Sequence, residues 1–188
     1  MLLNFITILG FNFIVITILW ISSLKTRRAD FIDIYWGPSF FFSFLLALVM
    51  NNSFSVTEII CLFLITIWGF RLGIYLLIRN VNKTEDIRYV KIREARGDIG
   101  LYLTAYLIQI ILIPIISLPL ISILDTSIDL SFVHWVGILI ALSGILIETI
   151  ADIQLSKFKL DQNNINNGYT EYINSTSSFI ILPKKKSK

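Results

Sequence analysis

TEIICLFLITIWGFRLGIYLLI, residues 57–78, is uncharged from Ile59 onward apart from a single arginine, Arg71. A helix rises 1.5 Å per residue, so about 20 such residues match the hydrocarbon thickness of a bilayer. The run is continuously apolar rather than alternating, which excludes a membrane β-strand. Four similar runs flank it, and together they predict spans at Leu3–Leu24, Phe31–Met50, Thr57–Ile78, Tyr102–Leu124 and Phe132–Leu155. With 55% hydrophobic and only 15% charged residues among 188, the chain reads as an all-α, polytopic membrane bundle with five transmembrane helices. Residues 1–160 form one expected transmembrane domain, and 161–188 a polar tail expected to be disordered and cytoplasmic.

The basic residues orient these spans. Fifteen of the 16 Lys and Arg residues follow spans one, three and five; the remaining one is Arg71. The loops 51–56 and 125–131 hold none. The positive-inside rule makes the basic side cytoplasmic and places the N-terminus outside. The first run could instead be a signal peptide, but it has no basic n-region and is long for an h-region, so an uncleaved anchor is expected. An integral protein of the bacterial inner membrane is the resulting expectation, with its site facing the cytoplasm.

Four ionisable residues, Asp33, Arg71, Glu148 and Asp152, fall inside the spans. Each costs about 2.5–3.5 kcal/mol at a helix centre, so intramembrane charge marks a candidate site. From the helical rise, Arg71 lies about 12 Å below Arg79, Glu148 about 13 Å and Asp152 about 8 Å below Lys157, and Asp33 about 8 Å below Arg28. One shared layer predicts that the four meet around a cytoplasm-facing cavity. The competing reading is that a carboxylate pairs with Arg71 simply to hold the bundle together. Gly137, Ala141 and Gly144 continue into Glu148 and Asp152 at helical spacing, which predicts that another helix approaches this stripe.

Trp68, Arg71 and Tyr75 share a face of span three; Tyr75 is at least as well explained as a belt residue. Tyr102, Tyr106 and Gln109 form a stripe on span four, either lining a pocket or packing the bundle. Pro114 and Pro119 predict kinks beyond it. The loop RNVNKTEDIRYVKIREARGDIG, residues 79–100, predicts a surface helix over Thr84–Arg96 with Thr84 as N-cap and Glu85 and Asp86 at its positive end. Tyr89, Arg93 and Arg96 would share one face, suited to phosphate and a stacked heterocycle or, alternatively, to anionic lipid heads.

A lone Cys61 and a lone His134 exclude a disulfide framework and give no metal cluster. There is no phosphate-binding glycine loop, Ser-His-Asp set or HExxH. The basic tail is more simply a topology signal than a nucleic-acid site.

FIDIYWGPSF (31–40), WGFRLGIYLLIRN (68–80), EDIRYVKIREARGD (85–98) and GILIETIADIQLSKFK (144–159) contain D-x-x-W-G, W-x-x-R-L, E-D-x-R-Y and E-x-x-x-D phrases in that order. The chain thereby resembles the uncharacterised bacterial branch of the steroid 5-alpha-reductase superfamily. The resemblance implies a helical membrane enzyme in which cytoplasmic NADPH reduces an activated carbon–carbon double bond of a lipid-like substrate. It implies that Glu148 and Asp152 border the cofactor, with Lys159 as the basic position after them. Arg71, Arg79, Glu85, Asp86, Arg88 and Tyr89 match motif positions of the third span and its loop. Arg93 joins Arg71, Arg88 and Tyr89 as a cofactor-binding candidate by location. An enone reduction needs a proton donor, for which Tyr102, Tyr106 and Glu148 are candidates.

The family pattern continues with an aromatic phrase, R-H-P-N-Y and further spans. Here Gly168 is followed by YTEYINSTSSFIILPKKKSK, so a truncated or altered ending and a reduced site are expected. An S-adenosylmethionine-dependent methyltransferase related to isoprenylcysteine carboxyl methyltransferase, and a non-catalytic membrane remnant, remain as alternatives.

Overall fold

The computed structural model describes residues 1–81, 83–124 and 130–160, with 159 and 160 described by backbone only. The elements are α1 (Leu2–Thr26), α2 (Phe31–Asn51), α3 (Val56–Val81), α4 (Ile87–Leu101), a π turn (Tyr102–Tyr106), α5 (Leu107–Ile116), α6 (Leu118–Ser122) and α7 (Phe132–Leu160). No strand occurs among the described residues. Five helical stretches are long and apolar enough to cross a membrane, at the expected places. Met1–Ile138 forms one compact unit and Leu139–Lys188 a second; the 161–188 tail lies outside the described residues.

Helix ends follow local chemistry. Arg27 and Asn52 adopt left-handed backbone conformations (φ 54° and 49°) that stop α1 and α2. Before α3, the Ser55 hydroxyl accepts from the Glu58 N–H at 3.3 Å while Glu58 accepts from the Ser55 N–H at 2.6 Å, a reciprocal capping box that satisfies two orphan donors. The fully buried Glu58 also accepts from the Ser53 hydroxyl at 2.7 Å.

α2 and α3 approach one another backbone to backbone. A Cβ on Gly37 would run into the Gly69 carbonyl oxygen, and one on Gly69 would stand 2.5 Å from that of Gly37. One turn further, Gly73 faces the Ile34 carbonyl, whose usual helical donor is absent because Pro38 has no N–H. In lipid, where apolar surfaces gain little by meeting, such close van der Waals contact is a main source of helix association. The stripe on the fifth span does not play this part at Gly137, where a Cβ would meet nothing within 4 Å.

Uncharged polar residues add a second seam. Asn12, fully buried in α1, donates to Ser43 Oγ at 2.9 Å and accepts from the Tyr35 hydroxyl at 3.1 Å. Asn51 donates to Asn4 Oδ1 at 3.0 Å. Each amide therefore leaves water with a partner, as burial in hydrocarbon requires.

The surface helix and the fourth span are one continuous stretch. Asp86, not Thr84, is its N-cap: the Asp86 carboxylate accepts from the Arg88 N–H at 2.9 Å. Gly97 (φ 68°) bends the stretch before it enters the membrane, a conformation open to glycine because it has no Cβ. The two prolines act differently from the expected pair of kinks. The helix breaks at Ser117, after Pro114, while Pro119 sits in the first turn of α6, where its missing N–H costs nothing.

Candidate functional site

The ends of α1 and α3 and the starts of α2 and α4 converge at the basic end. Arg28, between α1 and α2, grips Asp30 through two nitrogens and donates to the Asn80 carbonyl at 2.8 Å, tying the α1–α2 link to the end of α3. Glu85 accepts from the Ala29 N–H at 2.7 Å and is held bidentately by Arg93. Arg93 Nε also lies 3.1 Å from Asp98 Oδ1, an ion contact whose angle is not that of a hydrogen bond. Asp33, in the first turn of α2, accepts from the Tyr89 hydroxyl at 2.6 Å and contacts Arg88 at 3.3 Å.

These pairs are not equivalent. The Arg93 and Glu85 side chains are 14% and 8% exposed, so that pair is desolvated and locked in place. Arg88 is 64% exposed, and exposed ion pairs contribute only about 0–1 kcal/mol, so its guanidinium can be redeployed cheaply. Arg88 hydrogen-bonds both Asp86 oxygens and holds that carboxyl below the usual carboxylate range.

Beside this collar lies a cleft of about 420 Å³ lined by Asp33, Trp36, Leu76, Arg79, Arg88, Gln109 and Leu112. Its walls come from α2, α3, α4 and α5. Trp36, Leu76 and Leu112 supply apolar surface; Arg79 and Arg88 supply positive charge. Arg79 donates to Asn80 Oδ1 at 3.2 Å and lies over the Tyr75 ring, and its positive charge also bears on the Asp33 and Asp86 carboxylates. The Gln109 Oε1 atom is buried and has no hydrogen-bond partner.

Of the residues singled out in the sequence, the structure brings Asp33, Arg79, Arg88 and Gln109 to this cleft. It directs Tyr89 and Arg93 inward: Tyr89 is 6% exposed with its hydroxyl on Asp33, and Arg93 is engaged by Glu85, while Arg96 stays exposed. The expected common face of Tyr89, Arg93 and Arg96 is therefore a packing face at its first two positions. Arg71 lies two helical turns before Arg79 and is not among the residues lining the cleft. Trp68 packs on Phe40 with ring centres 5.7 Å apart.

The Tyr102–Tyr106–Gln109 stripe is divided. Tyr102 exchanges a hydrogen bond with the Thr17 hydroxyl at 3.1 Å and leans on Trp20, and fully buried Tyr106 donates to the Ala29 carbonyl at 3.3 Å. Gln109 lies past the π turn, whose extra residue rotates the remainder of the span by about 100° relative to an unbroken α-helix. Glu148 and Asp152 stand one turn apart on α7, within the second unit. The Lys159 side chain lies outside the described residues. No group of three metal-ligating side chains occurs among the described residues. Trp36, Leu76 and Leu112 were not singled out in the sequence; only Trp36 carried a signal, as the aromatic of D-x-x-W-G.

Residues 19–172 match the family described as "Protein of unknown function (DUF1295)". The chain belongs to the DUF1295 family. DUF1295 is associated with steroid 5-alpha-reductase-like proteins, in accord with the four phrases. No curated protein and no solved structure matches the chain. In DUF1295 terms, the cleft draws on three of those phrases: Asp33 and Trp36 from the first, Leu76 and Arg79 from the second, Arg88 from the third.

Proposed function

We propose that this DUF1295 protein is a membrane-embedded, steroid 5-alpha-reductase-like enzyme that uses NADPH to reduce a carbon–carbon double bond in a lipid-like substrate. The observation that carries the reading is the cleft, which combines two guanidinium groups, a carboxylate and an apolar wall, five of its seven lining residues coming from the motif phrases. Those groups fit a nicotinamide dinucleotide chemically: cations for its phosphates and an aromatic and aliphatic wall for a flat ring. NADPH, when bound, would supply the hydride.

The chain's own residues bind, orient and shelter. Arg88 and Arg79 would hold the phosphate groups. Asp33 positions Arg88 from below, and the Tyr89 hydroxyl fixes the Asp33 carboxylate in turn. Trp36, Leu76 and Leu112 keep water from the reacting centre. The cleft lies at the end that carries the basic loops, so the positive-inside rule supports access from the cytoplasm and, in a bacterium, placement in the inner membrane.

Titration of the purified protein in lipid nanodiscs with NADPH, followed by nicotinamide fluorescence, tests this reading. Saturable binding is expected, weakened about tenfold or more in Arg88→Gln, since a hydrogen bond to a charged group is worth roughly 1.5–3 kcal/mol. Asp152→Ala tests separately whether α7 reaches the cofactor, and loss of affinity is the result expected from the family position. Binding of S-adenosylmethionine without any NADPH signal would replace the reductase with the methyltransferase. Failure of both at millimolar concentration would leave the non-catalytic reading.

A further inference from the structure

We propose that the ester-linked acyl chain of a bilayer phospholipid lies in a second cleft, between α3 and α7 at the end opposite the basic loops, with its ester carbonyl accepting from the ring N–H of His134.

This cleft, of about 350 Å³, is bounded by Ile60, Cys61 and Leu64 on one face of α3 and by Val133, His134 and Gly137 at the start of α7. It shares no lining residue with the cleft at the basic end. A Cβ on Gly137 would meet nothing within 4 Å, so among the described residues no neighbouring helix closes on it. An apolar gap left open forfeits the dispersion contacts of its walls, and water does not settle among apolar side chains. In a membrane the material within reach is hydrocarbon. The cleft is continuous with the lipid-facing surface: Val133 on its wall is 74% exposed, and Phe63, next to Leu64, is 61% exposed. Its α3 wall runs from Thr57 to Leu64, about 10 Å along the helix, which suits a chain lying parallel to the spans.

Polarity decides which end of the lipid goes where. His134 is the third residue of α7 and so stands at the mouth of the cleft. Its Nδ1 accepts from the Ser131 N–H at 3.0 Å, so the neutral ring carries its proton on Nε2 and offers a donor there. At the level of a helix start, where hydrocarbon gives way to the polar interface, the matching acceptor of a phospholipid is its ester carbonyl. The adjoining loops 51–56 and 125–131 contain no Lys or Arg, and the second contains two Asp. The site therefore selects by chain and ester rather than by an anionic headgroup.

Native mass spectrometry of the full chain released from nanodiscs tests this. The discs contain equal amounts of dioleoyl phosphatidylcholine and its diether analogue, which lacks the ester carbonyl. The wild type is expected to retain one phospholipid per chain, enriched about threefold to tenfold in the diester, the range of one neutral hydrogen bond. His134→Phe keeps a ring and removes the donor, so it is expected to retain lipid without preference. Gly137→Phe and Cys61→Phe fill the cleft from opposite walls, and each is expected to retain none. Should one of these two unfold early in a thermal scan, the other and His134→Phe carry the test. The proposal is overturned by a wild type that retains no lipid or retains both lipids equally, by a preference that persists in His134→Phe, or by undiminished retention in the filled variants. A wild-type dimer that the filled variants dissociate would overturn it too, giving the cleft to a second copy of the chain.

Discussion

The glycine crossing of α2 and α3 and the ionic collar at the basic end are neighbours in sequence, Gly37 four positions after Asp33 and Gly69 ten before Arg79, yet they hold the protein by opposite means. At the crossing, shape does the work: backbone lies on backbone, with no room for one carbon atom. At the collar, charge balance does it: each buried carboxylate or guanidinium has its counterpart, and Arg88 alone of the collar's arginines in carboxylate pairs on α4 is both exposed and at the cleft. Membrane interiors favour the first device and the aqueous edge permits the second. A ligand site is most economically built where they meet, with one wall rigid and the other able to exchange partners.

Substitutions can break either side of this comparison. The largest effect is expected at the collar, in Glu85→Ala. It leaves the Arg93 guanidinium, only 14% exposed, with Asp98 as its remaining carboxylate and strands the Ala29 N–H, and loss of one partner of a buried pair costs up to about 3–5 kcal/mol. Thermal unfolding in nanodiscs should fall sharply, and adding Arg93→Leu should recover part of the loss; a double variant no better than the single one would show that Asp98 alone satisfies Arg93. Next comes Gly69→Ala, whose Cβ meets the Gly37 carbonyl. Overpacking of about 1–3 kcal/mol is expected there, together with separation of α2 from α3 measurable by spin-label distances.

Asp86→Ala should cost about 1 kcal/mol through loss of the α4 N-cap. Its carboxyl is held below the ordinary range in the folded protein, so the stabilisation is present above the unfolded value near 3.9 and is lost as pH falls through the lowered folded value. The gap in unfolding temperature between wild type and Asp86→Ala should therefore be constant near neutrality and close in acid below about pH 4; a gap that widened in acid would contradict the pairing with Arg88. Smallest of all, Gly137→Ala should change stability by less than about 0.5 kcal/mol, because open space surrounds its Cα. A large effect there would mean that the fifth span carries a crossing of its own.

The spans were legible in the sequence because hydropathy over about 20 residues is a strong, local signal. Asp33 was legible for the related reason that charge in an apolar run stands out. Glu85 was named as a motif position, but its task was not legible, since a loop carboxylate carries no mark of the Ala29 N–H waiting 56 positions earlier. The glycines were visible but their pairing was not: small residues stripe several spans, and only the packed structure selects Gly37 with Gly69 over Gly137. Asn12 escaped notice because a search of the spans for charge passes over an uncharged amide, although its hydrogen bonds join α1 to α2. Gln109 was placed on the wrong stripe, because helical spacing assumes an unbroken α-helix and the π turn adds a residue to it.

That extra residue bears on how DUF1295 sequences compare with one another. A relative one residue shorter between positions 101 and 107 would keep every apolar residue of its fourth span and the same hydropathy profile. Its helix beyond that point would nonetheless be turned through about 100°, with a different side chain delivered where Gln109 now stands. Two members could thus align well, fold alike and read different ligands, the distinction resting on a gap of one rather than on any substitution.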